Sequence, residues 1–250
     1  MDKLLSGLKV AMDDGHGGVD PGAVDPIQPA QNDHIYTEEK DINTQLAQIM
    51  TSKLVANGAE VLDVRPGDAT VSLDERVNRA NSWGADLFFS WHSNSATNVS
   101  AGGAEAHVFS KTSKAYGLAQ KVQERFLANG IKWRSIWVSN FKVLRETRAP
   151  AILMESGFIT NPAEELLLND CEYLEKLANA GFEAVCLWYA GKLPETKADS
   201  LVEAITVIKE SGVQLDENCW AKAARPGGTV DGGYANVLLH RIANILRKEG

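Results

Sequence analysis

Cysteine is scarce in this chain of 250 residues, with only Cys171, Cys186 and Cys219 present. The number is odd and no two stand in a CxxC pair, which excludes a disulfide framework and argues against a sulfur-ligated structural metal; the three read as buried thiols. Positive charge is also short, with 25 Lys and Arg against 33 Asp and Glu and a net charge of -8. No run of Lys or Arg compensates locally, so the chain has no electrostatic footprint for nucleic acid. No apolar run is long enough to span a bilayer, so membrane insertion is not expected. Residues 1–10 alternate charge and apolarity, without the basic, apolar and small-residue segments of a signal peptide, so cytoplasmic synthesis without such a leader is expected. Internal repeats and low-complexity tracts are missing. So are a GxSxG elbow, a GxGxxG turn and a Walker lysine, which sets aside Ser-His-Asp hydrolysis and phosphate-binding loops.

What is present is ordinary globular material: 44% hydrophobic residues, enough for one large domain with a smaller one beside it. Short apolar runs alternate with longer amphipathic ones, the pattern of an α/β fold with a mostly parallel twisted sheet of about six strands flanked by helices. Strands are expected at 8–12, 59–64, 86–91, 104–109, 142–144 and 151–154. Ile42, Leu46, Ile49 and Leu54 keep helical spacing, with Thr37 as an N-cap candidate and Gly58 at the C-terminal end. Further helices are expected at 73–83, 113–129 and 161–189. These elements make a catalytic-type domain over 1–192. A polar, Pro-containing linker follows at 193–198, and a small helical C-terminal module at 199–250, where Leu201, Ile205 and Ile208 form one apolar face and Leu238, Ile242 and Ile245 another.

Polar residues with chemical potential gather at the ends of expected strands, where a parallel sheet opens its ligand crevice. The first strand runs into Asp-Asp-Gly-His-Gly-Gly-Val-Asp-Pro-Gly-Ala, in which glycines let the backbone bend and leave His16 free to bind. The adjacent acids Glu38 and Glu39 open a helix, where they can complement its dipole or serve as ligands. A buried strand ends at His92, followed by Ser93 and Asn94. Another, Ala-Ile-Leu-Met, stops at Glu155, a charge too costly to bury unless paired, hydrogen-bonded or metal-linked. Two histidines and a carboxylate are a recurrent ligand set for catalytic zinc, and a further nearby Glu can act as base. His16, Glu39, His92 and Glu155 supply that chemistry. His34 lies in a polar, Pro-broken loop and reads as solvent-exposed, while His107 and His240 have no supporting context.

Five segments in order carry a family resemblance: DDGHGGVDPGA, EKDIN, VRPGDATVSLDERVNRAN, SWHSN and VLRETRAPAILMESGFITNP. Over residues 8–188 the chain resembles the zinc-dependent N-acetylmuramoyl-L-alanine amidases of the amidase-3 type, found among phage endolysins, autolysins and sporulation lytic enzymes. The resemblance implies one Zn2+ held by His16, Glu39 and His92, with Glu38 as the other acid that fits the metal position. It implies Glu155 as the catalytic acid/base and makes Arg145 a secondary candidate for substrate or oxyanion contact, a surface ion pair being its alternative. Arg76 and Asn94 are expected to secure the local fold. The implied substrate is bacterial peptidoglycan, cut between N-acetylmuramic acid and L-alanine of the stem peptide. A zinc peptidase cutting within the stem, or an inactive peptidoglycan-binding module, are the alternatives. The chain departs from the family pattern at Asp14, often Pro or Ala, and at Trp91, usually a smaller aliphatic residue. The tail, with seven Lys and Arg against eight Asp and Glu over 193–250, does not suggest an electrostatic wall anchor. Wall binding and self-association are both open for it, with Trp220 and Tyr234 as aromatic candidates. Without a leader, such an enzyme would act on the wall after release from the cell.

Overall fold

The structure is a computed structural model that describes residues 3–25 and 36–194. The chain divides into two units, Met1–Pro194 and Glu195–Gly250. The second unit lies outside the described residues, and with it the expected helical module, Cys219, Trp220, Tyr234 and His240; His34 lies outside them as well. Among the described residues no helix is long and apolar enough to cross a membrane.

The elements run in chain order as β1 (Lys9–Asp14), β2 (Val24–Asp25), β3 (Thr37–Glu38), α1 (Glu39–Ala56), β4 (Glu60–Asp63), α2 (Leu73–Trp83), β5 (Leu87–Asn94) and β6 (Ala104–Val108). They continue as α3 (Lys114–Ala128), β7 (Trp133–Val138), α4 (Lys142–Glu146), β8 (Ala151–Phe158), α5 (Pro162–Leu168) and α6 (Cys171–Ala190). Six strands form one sheet in the order β4-β1-β5-β8-β6-β7. The first four in that order are parallel; β6 runs antiparallel to β8, and β7 parallel to β6. From β1 the chain crosses through α1 to β4 on one side, then returns through α2 to β5 on the other. That reversal of direction opens a crevice beyond the carboxyl ends of β1 and β5, where open α/β sheets bind ligands.

Strand alternation gives the two faces of the sheet different tasks. Met12, Phe89, Trp91 and Met154 point into the larger apolar core, shared with α1, α3 and α6. Ala11, Phe88 and Leu153 point into a smaller core that includes Val77 of α2 and Leu144 of α4. Trp91, fully buried, is accommodated by Gly181 of α6, where a Cβ would come within 3.1 Å of the indole. A smaller residue opposite is what lets the large side chain stand in this strand.

Five expected strands are found at or near their places, and four expectations need correction. Residues 142–144 are the start of the short helix α4, not a strand: a three-residue apolar run has no period, and here Val143 and Leu144 are buried from one side of a helical turn. The sixth strand is β7, whose Trp-Arg-Ser-Ile-Trp-Val lacks clean alternation because it is an edge strand, half-exposed along most of its length. The expected helix over 161–189 is broken into α5 and α6. Asn161 caps the first by accepting from Ala163 N, and Asp170 caps the second by accepting from Tyr173 N. Thr37 is not the cap of α1; Glu38 holds that position without a side-chain cap bond, and the Thr37 hydroxyl donates to Glu165 instead. Ser72 does cap α2, accepting from Glu75 N. Of the thiols, Cys186 is buried but Cys171 is exposed at the first position of α6.

Candidate metal centre

His16 lies just beyond β1 with φ 66, the left-handed region that a non-glycine residue seldom takes. The turn is held from outside. Gly18 N and Val19 N donate to Asp68 Oδ1 and Thr70 Oγ1, at 2.7 and 3.1 Å, and the Arg76 guanidinium donates to the His16 carbonyl. Arg76 is itself buried against Asp13, whose other carboxylate oxygen accepts from Ser90 Oγ at 2.6 Å. A second buried guanidinium, Arg65, donates to the Asp14 carbonyl at 2.9 Å and to the Asp14 carboxylate. The end of β1 is thereby pinned by two arginines from separate segments.

Glu39 is the first residue of α1, almost wholly buried, and every oxygen it has is engaged. Oε1 lies 2.8 Å from His92 Nδ1 and accepts from Ser93 N at 3.1 Å. Oε2 lies 3.1 Å from His16 Nε2 and accepts from Ala23 N at 2.9 Å. Burial alone would lift its pKa, but the two imidazoles outweigh that and hold it well below the usual carboxylate range. Burial opposes charge on His16, yet Glu39 and Asp20 together raise its pKa. The Asp20 carboxylate accepts from His16 Nδ1 at 2.9 Å. The rings of His16 and His92 meet edge to face with centroids 4.9 Å apart. One ligand atom from each of His16, Glu39 and His92 can be chosen so that all lie within 4.8 Å of one another.

Two glycines make this closeness possible. A Cβ on Gly15 would fall 2.3 Å from the His92 ring, and one on Gly22, at φ 71, would fall 2.5 Å from Glu39 Oε2. The glycine-rich stretch therefore brings backbone against the ligands, beyond merely leaving His16 uncrowded.

Glu155 stands beside this triad on β8, paired in register with His92 of β5. Its Oε2 is buried with no hydrogen-bond partner among the described residues. Burial, then the charges of Glu39 and Glu105, push its pKa well above the ordinary value. Glu155 and both histidines line a cleft of about 680 Å³ that also reaches Asp13, Arg76 and Phe141.

The structure thus brings His16, Glu39, His92 and Glu155 together, while two other candidates lie elsewhere. Glu38 turns away to the Tyr36 hydroxyl and the Lys40 ammonium. Arg145 does not line the cleft; it pairs with Glu146 and donates to Asn140 Oδ1, the surface ion pair named as its alternative. Arg76 and Asn94 serve the fold, Asn94 by donating to Glu105 Oε1 at 2.8 Å. Asp20, Arg65 and Glu105 were not anticipated. Glu105, between two alanines of β6, was open to the same argument as Glu155, a carboxylate inside an apolar strand. It accepts from Arg134, Trp137 and Asn94.

The family model described as N-acetylmuramoyl-L-alanine amidase matches residues 10–186. N-acetylmuramoyl-L-alanine amidase LytC of Bacillus subtilis is 32% identical over 186 residues, 73% of this chain but only 36% of LytC. The sporulation-specific N-acetylmuramoyl-L-alanine amidase of the same organism is 31% identical over 222 residues, 86% of this chain and 82% of that protein. Among solved structures, an N-acetylmuramoyl-L-alanine amidase from Clostridium difficile 630 superposes with a TM-score of 0.65 at 35% identity, covering 71% of this chain and 94% of that one. The catalytic domain of CwlV from Bacillus (Paenibacillus) polymyxa gives 0.64 at 32% identity, covering 71% and 96%.

Proposed function

Since the chain belongs to the N-acetylmuramoyl-L-alanine amidase family, we propose that it hydrolyses the amide between N-acetylmuramic acid and the L-alanine of the stem peptide in bacterial peptidoglycan, using one zinc ion. The observation that carries this reading is the Glu155 carboxyl group, with a buried oxygen that has no partner among the described residues, in the same cleft as the histidines of a compact His-Glu-His cluster.

The donor set fits zinc: two imidazole nitrogens and one carboxylate oxygen, with neither described cysteine among them. His16, Glu39 and His92 would hold the ion. With Asp20 accepting from His16 Nδ1, Nε2 would be left to the ion, Asp20 being the kind of outer carboxylate that orients metal-binding histidines. Backbone donors from Ala23 and Ser93 keep the Glu39 carboxylate in one orientation. When bound, zinc supplies a Lewis acid that polarises a carbonyl oxygen and makes water more acidic.

The remaining chemistry belongs to Glu155. Burial and two neighbouring acids raise its pKa, so its carboxylate form is a stronger base than an ordinary one, able to take a proton from attacking water and return it to the departing L-alanine nitrogen. Its Oε2, without a partner among the described residues, is the atom for that transfer.

Digestion of purified peptidoglycan, followed by mass analysis of the soluble fragments, tests the bond assignment. Stem peptides with a free N-terminal L-alanine are expected. Shortened peptides still joined to muramic acid would make the protein a peptidase, and intact wall from several sources would leave only a binding role.

A further inference from the structure

The cleft is far larger than the metal centre needs. At about 680 Å³ it has the volume of about twenty water molecules, where a bound ion and one water need a small fraction of that. The excess extends between the loop at 70–73 and the segment at 140–143. Leu73, 53% exposed, and Phe141, 42% exposed, line it together with Val143. The charged groups lining the cleft, apart from the two histidines, are three acids at the metal end, Asp13, Asp20 and Glu155, and two cations, Arg76 and Lys142.

Arg76 is already spent: its guanidinium is buried and donates to Asp13, to the carbonyls of Asp14 and Val71, and to that of His16. Lys142 is not. Its side chain is 30% exposed, and its ammonium faces two carboxylates that are themselves open to water, Asp74 at 2.5 Å and Glu146 at 3.7 Å. Such rim pairs are worth little, and an ammonium carries three donors, so an arriving carboxylate displaces little of value.

Resting on the amidase reading above, we propose that this arm of the cleft holds the stem peptide and that Lys142 reads a free carboxylate on the residue following L-alanine. The muramyl side of the bond cannot supply that charge, because its carboxyl group is consumed in the scissile amide. A peptide leaving the reacting centre advances about 3.5 Å per residue. On this proposal the apolar wall of Leu73, Phe141 and Val143 takes the alanine methyl and the backbone beyond it, and the Lys142 ammonium, lining the same cleft, takes the next residue. Lys142 is a specificity-determining residue in this account, remote from the proton transfers. Amidation of the stem carboxylate, which removes the charge and keeps the shape, is what it discriminates against.

The test compares kcat/KM for N-acetylmuramoyl-L-alanyl-D-glutamate γ-methylamide and the corresponding α-amide, so that the α-carboxylate is the only charge on the second residue and the only one that differs, with the free dipeptide products quantified by mass spectrometry. The zinc-loaded wild-type chain should prefer the acid by about tenfold, the scale of one hydrogen bond to a charged group. Lys142→Met should bring the ratio close to unity, and Asp74→Asn, which frees the ammonium, should widen it. A ratio is unaffected by the folded fraction of any preparation. A preference that survives in Lys142→Met, or a wild-type enzyme that cuts both equally, overturns the proposal while leaving the amidase reading intact. A wild-type enzyme that cuts neither dipeptide nor whole peptidoglycan overturns both.

Discussion

The two faces of the central sheet are made from the same strands, one residue apart, and they are built to opposite rules. Behind β1, β5 and β8 stand Met12, Phe89, Trp91 and Met154, sealed under α1, α3 and α6 in an apolar core. In front, at the carboxyl ends, stand Asp13, Ser90, His92 and Glu155, and the nearest cover is a cleft. The back face gains from burying apolar area; the front face carries the expense of desolvated charge and offsets it with paired guanidiniums and backbone donors. Stability and chemistry are thus separated by a single step along each strand. A substitution at position n and one at n + 1 should therefore fail in different ways.

The largest failure expected on the front face is that of His92→Ala, which should lose zinc and measurable turnover together while the chain still unfolds cooperatively; metal analysis beside a peptidoglycan assay checks it. One residue earlier, Trp91→Ala should do the reverse, costing about 3–5 kcal/mol of stability by cavity formation opposite Gly181. Denaturant unfolding would show it, and the surviving folded fraction should retain zinc and turnover. Loss of metal from Trp91→Ala at temperatures where it is folded would blur the separation.

Smaller effects sharpen it. Asp20→Asn weakens only the orientation of His16, so zinc affinity should fall about tenfold to a hundredfold, read by chelator competition. Asp14 offers a pH test. Burial pushes its carboxyl up to about 7 from an ordinary 3.8, with Arg65 pulling the other way. The folded chain then holds that proton more tightly than the unfolded one, so the stability contributed is full below the unfolded value and drains as pH rises through about 7. Asp14→Asn removes the drain, and its melting temperature relative to wild type should climb between about pH 5 and about pH 8. A constant difference would mean that Arg65 keeps Asp14 ionised throughout.

Much of this front face was legible in the sequence because apolar runs that end abruptly in His or Glu are difficult to explain by packing. The strands bearing His92 and Glu155, and the glycine-rich turn at His16, announce themselves that way, and neighbouring acids left only Glu38 and Glu39 to be sorted by geometry. What stayed hidden depends on partners distant in sequence. Nothing local marks Arg65 as buried; its role exists only because the fold carries it to Asp14, a residue 51 positions away. The edge strand β7 was missed since one half-exposed flank removes the alternation by which strands are recognised, and α4 was misread because three apolar residues fit either period. Arg145 looked chemical by its nearness to β8 in sequence, yet its guanidinium faces Asn140 and Glu146.

The central claim is that Glu155 moves protons and does not hold the metal, and Glu155→Gln tests it most directly when zinc content and turnover are measured on the same sample. The account predicts one zinc per chain, as in the wild type, with release of L-alanine-terminated peptides reduced by about a hundredfold to ten-thousandfold. Wild-type turnover in Glu155→Gln, or loss of its zinc, would contradict it.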